Sequence, residues 1–191
     1  MPTHKWTIYA ITGPSGVGKT TYCKALAKHL PETVRSSVVF TTRKKRPHEC
    51  EGEQYYFVSS AEFDVLIQKD TFACHTTFCG NKYGIEGAFI ENIIEKEWKD
   101  LIFDTIMGIA QLRKINPNTI IIFLSADPKE LIQRIIARDP SISQAELKLR
   151  KKDMMKQLKD ASKCDYIVDT SATRSQKQVL NELIDIIEWN S

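Results

Sequence analysis

Residues 13 to 20 read Gly-Pro-Ser-Gly-Val-Gly-Lys-Thr, a spacing that suggests chemistry before any fold is assumed. Gly13, Gly16 and Gly18 let the backbone wrap closely around an anion, and the amides at the start of the following helix point at it with the helix dipole behind them. Lys19 would reach terminal phosphates. Thr20 offers a hydroxyl to Mg2+, an ion that takes oxygen ligands and binds through few protein groups plus its nucleotide. Pro14, Ser15, Val17 and Thr21 complete the stretch expected to hold ATP. Asp104 ends the apolar run Leu-Ile-Phe-Asp, where the carboxyl edge of a parallel sheet brings residues to a ligand crevice. It is the second candidate for the Mg2+ shell, and capping of the next helix is the plainer alternative.

Two further sets of residues could handle phosphate. Arg43 and Arg46, followed by Glu49 and Tyr55 and later by Tyr83 in Gly-Asn-Lys-Tyr-Gly, combine guanidinium forks with phenol hydroxyls. Read without the tyrosines, the arginines and their neighbours Lys44 and Lys45 would fit a solvated basic patch equally well. Arg134, Arg138 and Arg150 are expected on two later helices; Arg150 stands beside Lys148, Lys151 and Lys152, where a solvated helix face is the competing reading. His48, Cys50, Cys74, His75 and Cys79 could in principle share a zinc ion, but their spacing fits no common zinc module and favours ordinary reduced cysteines.

The elements that must position these groups follow from hydrophobic patterning. Runs at 6–12, 36–42, 100–106, 118–125 and 166–169 read as strands, several too continuously apolar for a solvated sheet. Helical patterns at about 19–30, 89–98, 108–115, 127–138, 144–163 and 175–189 alternate with them, giving an α/β domain with a buried parallel sheet. Asp127-Pro128-Lys129-Glu130 and Ser143 to Glu146 carry the signature of capping boxes. Residues 43–88 break the alternation with a short strand at 54–58, a capped helix from Ser59 and two further segments, and are expected to form an inserted antiparallel lobe. Along Phe72–Phe78, alternation puts Cys74 and Thr76 on one face and His75 and Thr77 on the other.

The 191 residues suit one globular domain. Lys plus Arg is 27 against 24 Asp plus Glu, and a net charge of +3 argues against a nucleic-acid partner. No apolar run approaches a membrane span, and the start lacks the pattern of a signal peptide. Five cysteines, an odd number without a Cys-x-x-Cys pair, suit a reducing compartment, and a cytoplasmic location is expected.

The order of these motifs, the phosphate loop, then TTRKKRPHECEGEQYYF at 41–57, then GNKYG at 80–84, resembles the guanylate kinase family over nearly the whole chain. The resemblance implies a single domain: a P-loop NTPase-type parallel sheet flanked by helices (about 1–42 and 89–191), an inserted acceptor-binding lobe (about 43–88) and a helical lid (about 134–150). It implies transfer of phosphate from ATP, with Mg2+, to a nucleoside monophosphate, GMP or dGMP by default. Arg43, Arg46, Tyr55 and Tyr83 correspond to groups that hold the acceptor's phosphate, with Glu49 in the same motif, and Arg134, Arg138 and Arg150 resemble the lid arginines that stabilise charge on the transferring group.

The chain departs from the family in a pattern. A guanine-contacting hydroxyl falls at Val39, a guanine-reading carboxylate at Cys74 and another hydroxyl at Ile85, while a second strand-end Asp becomes Ile106. The family's Arg-Gly-Thr becomes Arg138-Asp139-Pro140. Groups that grip phosphate remain and groups that read guanine are replaced, which points to relaxed or redirected base choice, with Thr76 the favoured replacement reader. A non-catalytic binding module and a kinase for another phosphorylated small molecule, such as a ribose bisphosphate, are the rival readings. The intact Lys19-Thr20 argues against the first.

Overall fold

The computed structural model describes residues 7–46, 49–53, 55–95, 100–104 and 109–190. In chain order the elements are β1 (Thr7–Thr12), α1 (Lys19–His29), β2 (Val34–Ser36), β3 (Val39–Thr41), β4 (Tyr55–Phe57), α2 (Ser60–Gln68), β5 (Phe72–Phe78), β6 (Asn81–Glu86) and α3 (Gly87–Glu95). They continue with β7 (Asp100–Asp104), α4 (Ile109–Ile115), β8 (Ile120–Ser125), α5 (Pro128–Arg138), α6 (Gln144–Asp160), β9 (Tyr166–Asp169) and α7 (Gln176–Trp189).

Five strands in the order β2-β7-β1-β8-β9 form a wholly parallel sheet. Its central strand shows why the apolar runs are continuous. Ile8, Tyr9, Ala10 and Ile11 are all fully buried, because both faces of β1 are covered. Tyr9 and Ile11 pack with Leu26 of α1, Leu131 and Ile135 of α5 and Leu183 and Ile187 of α7. Ile8 and Ala10 pack on the opposite face with Leu112 of α4 and with Val39, Tyr83 and Ile85.

Those last three residues belong to a second sheet, order β4-β3-β6-β5. The strand expected over 36–42 is realised as β3, which opens the second sheet ahead of residue 43, while its first residue, Ser36, ends β2, a short Val-Arg-Ser strand that closes one edge of the parallel sheet. A three-residue strand with one apolar side chain leaves no periodicity by which to expect it. The second sheet is antiparallel through β3, β6 and β5, but β4 runs parallel to β3, which the long connection from Thr42 to Gln54 permits. Gly84 of the Gly-Asn-Lys-Tyr-Gly segment has a steric reason: a Cβ there would lie 2.7 Å from the ring of Phe72.

Two of the expected capping boxes close only by half. The Asp127 and Ser143 side chains accept from Lys129 N and Glu146 N, but Glu130 and Glu146 do not reach back; their carboxylates pair with Arg134 and Arg150. Ser59 and Glu62 form the complete reciprocal box at α2.

If the shared core is what holds the layers, Leu183→Ala, at a fully buried position of α7, lowers unfolding free energy by about 2–5 kcal/mol. Met155→Ala on the exposed face of α6 stays within about 0.5 kcal/mol. Urea unfolding of the two variants beside the parent chain measures both.

Candidate phosphate-handling site

The loop from Gly13 to Gly18 leaves the buried end of β1 and enters α1. Gly13 has φ 139°, and a Cβ on it would lie 2.4 Å from the Leu124 carbonyl oxygen of β8, so the strand edge itself demands glycine. Gly16 and Gly18 take φ of 89° and 97°, and a Cβ on Gly16 would press on Leu131 O and Ile135 of α5. Val17 turns inward and is buried in the core, anchoring the loop from beneath. Lys19 Nζ donates to Gly13 O at 2.9 Å and Pro14 O at 3.3 Å, which stretches its ammonium across the loop mouth.

The loop opens into a cavity of about 930 Å3 whose walls include Lys19, Thr20, Thr21, Arg43, Arg46, Tyr55 and Tyr83 together with Arg138 and Arg150. Arg43 is held bidentately by Glu49, at 2.8 and 3.0 Å. Its guanidinium lies 5.1 Å from the centre of the Tyr55 ring and 5.6 Å from that of Phe57. Glu49 also accepts from the Arg46 backbone at 2.8 Å and from the Arg46 guanidinium at 3.4 Å. Burial works to raise its carboxyl, but these bonds and the two cations hold it below the usual carboxylate range. Burial raises the Tyr83 phenol against the pull of Arg43 and a hydrogen bond with Thr41, so it remains a neutral donor.

Arg150 reaches the loop from α6, donating to Ser15 Oγ at 2.9 Å, and Arg138 approaches the same oxygen at 3.5 Å from the end of α5. Burial and the charges of Arg46, Arg150 and Arg43 lower Arg138, and burial with Arg43 and Arg150 lowers Arg46. The four guanidiniums are therefore close enough to feel one another. Polyanions favour such a concentration of donors.

Other candidates fall elsewhere. Arg134 does not line this cavity: Glu130, one turn back, and the Thr170 carbonyl oxygen capture it, fastening α5 to the segment after β9. Cys74 and Thr76 share a face of β5 but do not line the cavity either. Cys74 is buried behind Ile85 with its thiol pushed up to about 11 by burial, and Val39 and Ile85 form the wall at that end. Cys74 and His75 instead border a separate hollow of about 380 Å3 with Phe72 and Gln111. Asp104 is the last residue of β7 and pairs with Ile11, two residues before Gly13; its side chain, and Ile106, lie outside the described residues. His48 also lies outside them, while Cys50 is exposed, Cys74 buried and Cys79 bonded to Asp153. No group of three or more His, Cys, Asp or Glu close enough for a metal occurs among the described residues. Phe78, Asn81 and Glu146 join the cavity wall without having been singled out from the sequence. Only the pairing of Phe78 with Asn81 across a tight hairpin, with Cys79-Gly80 between them, could have signalled the first two.

This strand-loop-helix phosphate cradle in a parallel sheet defines a P-loop α/β protein. A family model for guanylate kinase matches residues 5–187. A guanylate kinase of Fusobacterium nucleatum is 32% identical over 182 residues, covering 95% of each chain. One from Desulfitobacterium hafniense is 35% identical over 162 residues, 84% of this chain and 80% of that one. The crystal structure of guanylate kinase from Anaplasma phagocytophilum superposes with a TM-score of 0.74 at 22% identity, over 97% of this chain and 86% of that one, a likeness of fold. The chain belongs to the guanylate kinase family. No helix among the described residues is long and apolar enough to cross a membrane.

Glu49 generates a pH prediction. Its lowered carboxyl stabilises the fold above the unfolded carboxylate value of about 4.3, and that contribution is lost as pH falls through the folded value. Glu49→Gln is therefore less stable than the parent at pH 7, with the gap narrowing below about pH 4. Thermal melts from pH 3 to 8 test this, and a gap that widens towards acid would contradict it.

Proposed function

We propose that this chain transfers the terminal phosphoryl group of ATP to the phosphate of a nucleoside monophosphate, giving ADP and a nucleoside diphosphate. The observation that carries the reading is the convergence of Arg43, Arg46, Arg138 and Arg150 on the cavity that Lys19 enters from the phosphate loop. The loop amides and Lys19 hold the donor phosphates. Arg43, Arg46, Tyr55 and Tyr83 hold the acceptor's phosphate, positioned by Glu49. An oxygen of that phosphate attacks the terminal phosphorus as the bond to the leaving oxygen breaks, and ADP departs with the charge. No covalent enzyme intermediate is required, because positioning and charge stabilisation supply the catalysis. Arg138 and Arg150, both within reach of Ser15, stand where charge on the moving group is greatest.

Mg2+ fits the donor set: Thr20 lines the cavity beside Lys19, and Asp104 ends the strand next to the loop, so both are oxygen donors of the kind that ion takes. When bound it would supply charge neutralisation for the ATP phosphates. Arg134 contributes through its grip on Thr170 and the placing of α5.

The acceptor is GMP or dGMP by family membership, with base choice relaxed. Val39 and Ile85, not hydrogen-bonding groups, form the second sheet's wall beyond the acceptor phosphate. The same wall favours, as a second reading, a kinase for another phosphorylated small molecule.

A panel of monophosphates with ATP and Mg2+, followed by ADP release, tests both. Release above the ATP-only background with at least one nucleoside monophosphate is expected, and GMP should lead the others by less than about a hundredfold, because no buried polar reader is left unpaired. Background release with every acceptor would defeat the proposal. Lys19→Ala should lower turnover at least a thousandfold with an unchanged melting temperature, and robust activity in that variant would remove the mechanism.

A further inference from the structure

The β5–β6 hairpin turns on Cys79-Gly80, with φ of 47° and 74°. Both values are those of a two-residue turn that usually recruits Asn or Gly at its first position. Cys79 occupies that position and puts its thiol to use. Sγ donates to Asp153 Oδ2 of α6 at 2.8 Å, across 74 residues of chain. Cys79 borders the main cavity, and the charges of Asp153, Arg150 and Glu146 all reach it. Tyr83 feels it from the other side. The bond thus joins the hairpin carrying the Tyr83 phenol to the helix carrying Arg150, which lies one turn before Asp153 and reaches Ser15 of the phosphate loop.

We propose that Cys79 and Asp153 form a latch between the second sheet and α6 that sets Arg150 beside the transferring phosphoryl group. Both are positioning residues, since neither carries charge to the reacting atoms. The inference rests on the reading of this cavity as a phosphoryl-transfer site. A thiol suits the task while it keeps its proton: burial and the Asp153 carboxylate push it up to about 12, so it remains a donor throughout the physiological range. The acceptor is charged, which makes a weak S–H donor worth more than it would be against a neutral oxygen.

Steady-state kinetics of the full chain test the latch. Cys79→Ala and Asp153→Ala are each expected to lower kcat/KM for the acceptor roughly tenfold, the size of one hydrogen bond to a charged group, with KM for ATP and melting temperature unchanged. The double variant should be no worse than either single one, and Cys79→Ser, which keeps a donor, should stay within about twofold of the parent. Additive losses, a serine variant as impaired as the alanine one, or an alanine variant equal to the parent would each overturn the proposal.

If the parent chain transfers phosphate to no acceptor, the functional reading fails and the contact is read without turnover. Maleimide labelling of Cys79, mapped by peptide mass spectrometry, should then accelerate severalfold in Asp153→Ala, while exposed Cys50 labels at its parent rate. Unchanged labelling at Cys79 would overturn the latch.

Discussion

Four guanidinium groups and an ammonium face one cavity, and the rest of the structure is arranged to hold these like charges together. Burial first, and then the charges of neighbouring arginines, lower Arg46 and Arg138. The fold offsets the repulsion with two glutamates, each placed by a different local device. Glu49 is buried at the mouth of the second sheet and takes both arms of Arg43 along with the Arg46 backbone. Glu146 sits four residues before Arg150 on α6, the spacing at which carboxylate and guanidinium meet on one face; Glu130 makes the same pair with Arg134, outside the cavity. A partly buried pair of this kind is justified by the geometry it fixes more than by net stability, since desolvation cancels much of its attraction.

The two helical glutamates also show where the sequence speaks ambiguously. A Glu three residues after an N-cap residue can return to the cap or reach forward to an arginine one turn on, and the sequence carries both signals at Asp127 and at Ser143. At α2, where no arginine follows Glu62, the box closes. At α5 and α6, where Arg134 and Arg150 follow, the charged partner wins over the neutral backbone amide. A charge-assisted bond is about twice as strong as a neutral one, so the outcome follows from partner chemistry once the competition is recognised.

Much of the donor half was legible because local rules decide it. Gly13, Gly16 and Gly18 take the conformations that only glycine adopts easily, and Lys19 begins the helix where the loop motif places it. The acceptor half was legible as residue types and less so as geometry. Arg43, Arg46, Tyr55 and Tyr83 do converge, but Cys74 is buried in the core shared with β1, Thr76 does not line the cavity, and the wall at that end belongs to Val39 and Ile85. β5 is an edge strand, and of the side chains on the Cys74 face only Phe78, at the hairpin end, lines the cavity, a placement along the sheet that the alternation of one strand does not record. The crossing from β2 to β3 is hidden because β2, Val34-Arg35-Ser36, is too short and too polar to show a strand pattern of its own.

That crossing matters to function. Val39 and Ile85, which wall the acceptor end, pack in the same core as Ile8 and Ala10 of β1, the strand that delivers Gly13 to the donor end. One strand therefore braces both halves of the site: its inner residues carry the second sheet, and its last residues launch the phosphate loop. Close-packed cores deform little, so the spacing between the phosphate loop and the second sheet is set by β1 and its neighbours. The helices bearing Arg138 and Arg150 enter the core on the other face of β1 through Leu131, Ile135, Leu147 and Met154, while their arginines meet the phosphate loop through polar bonds to Ser15 that can break and reform singly. A packed frame beneath the cavity, with the arginines reaching it only through single polar bonds, is the division of labour that the proposed in-line transfer demands: reacting atoms need a fixed distance, and the charges that stabilise them need a way in and out.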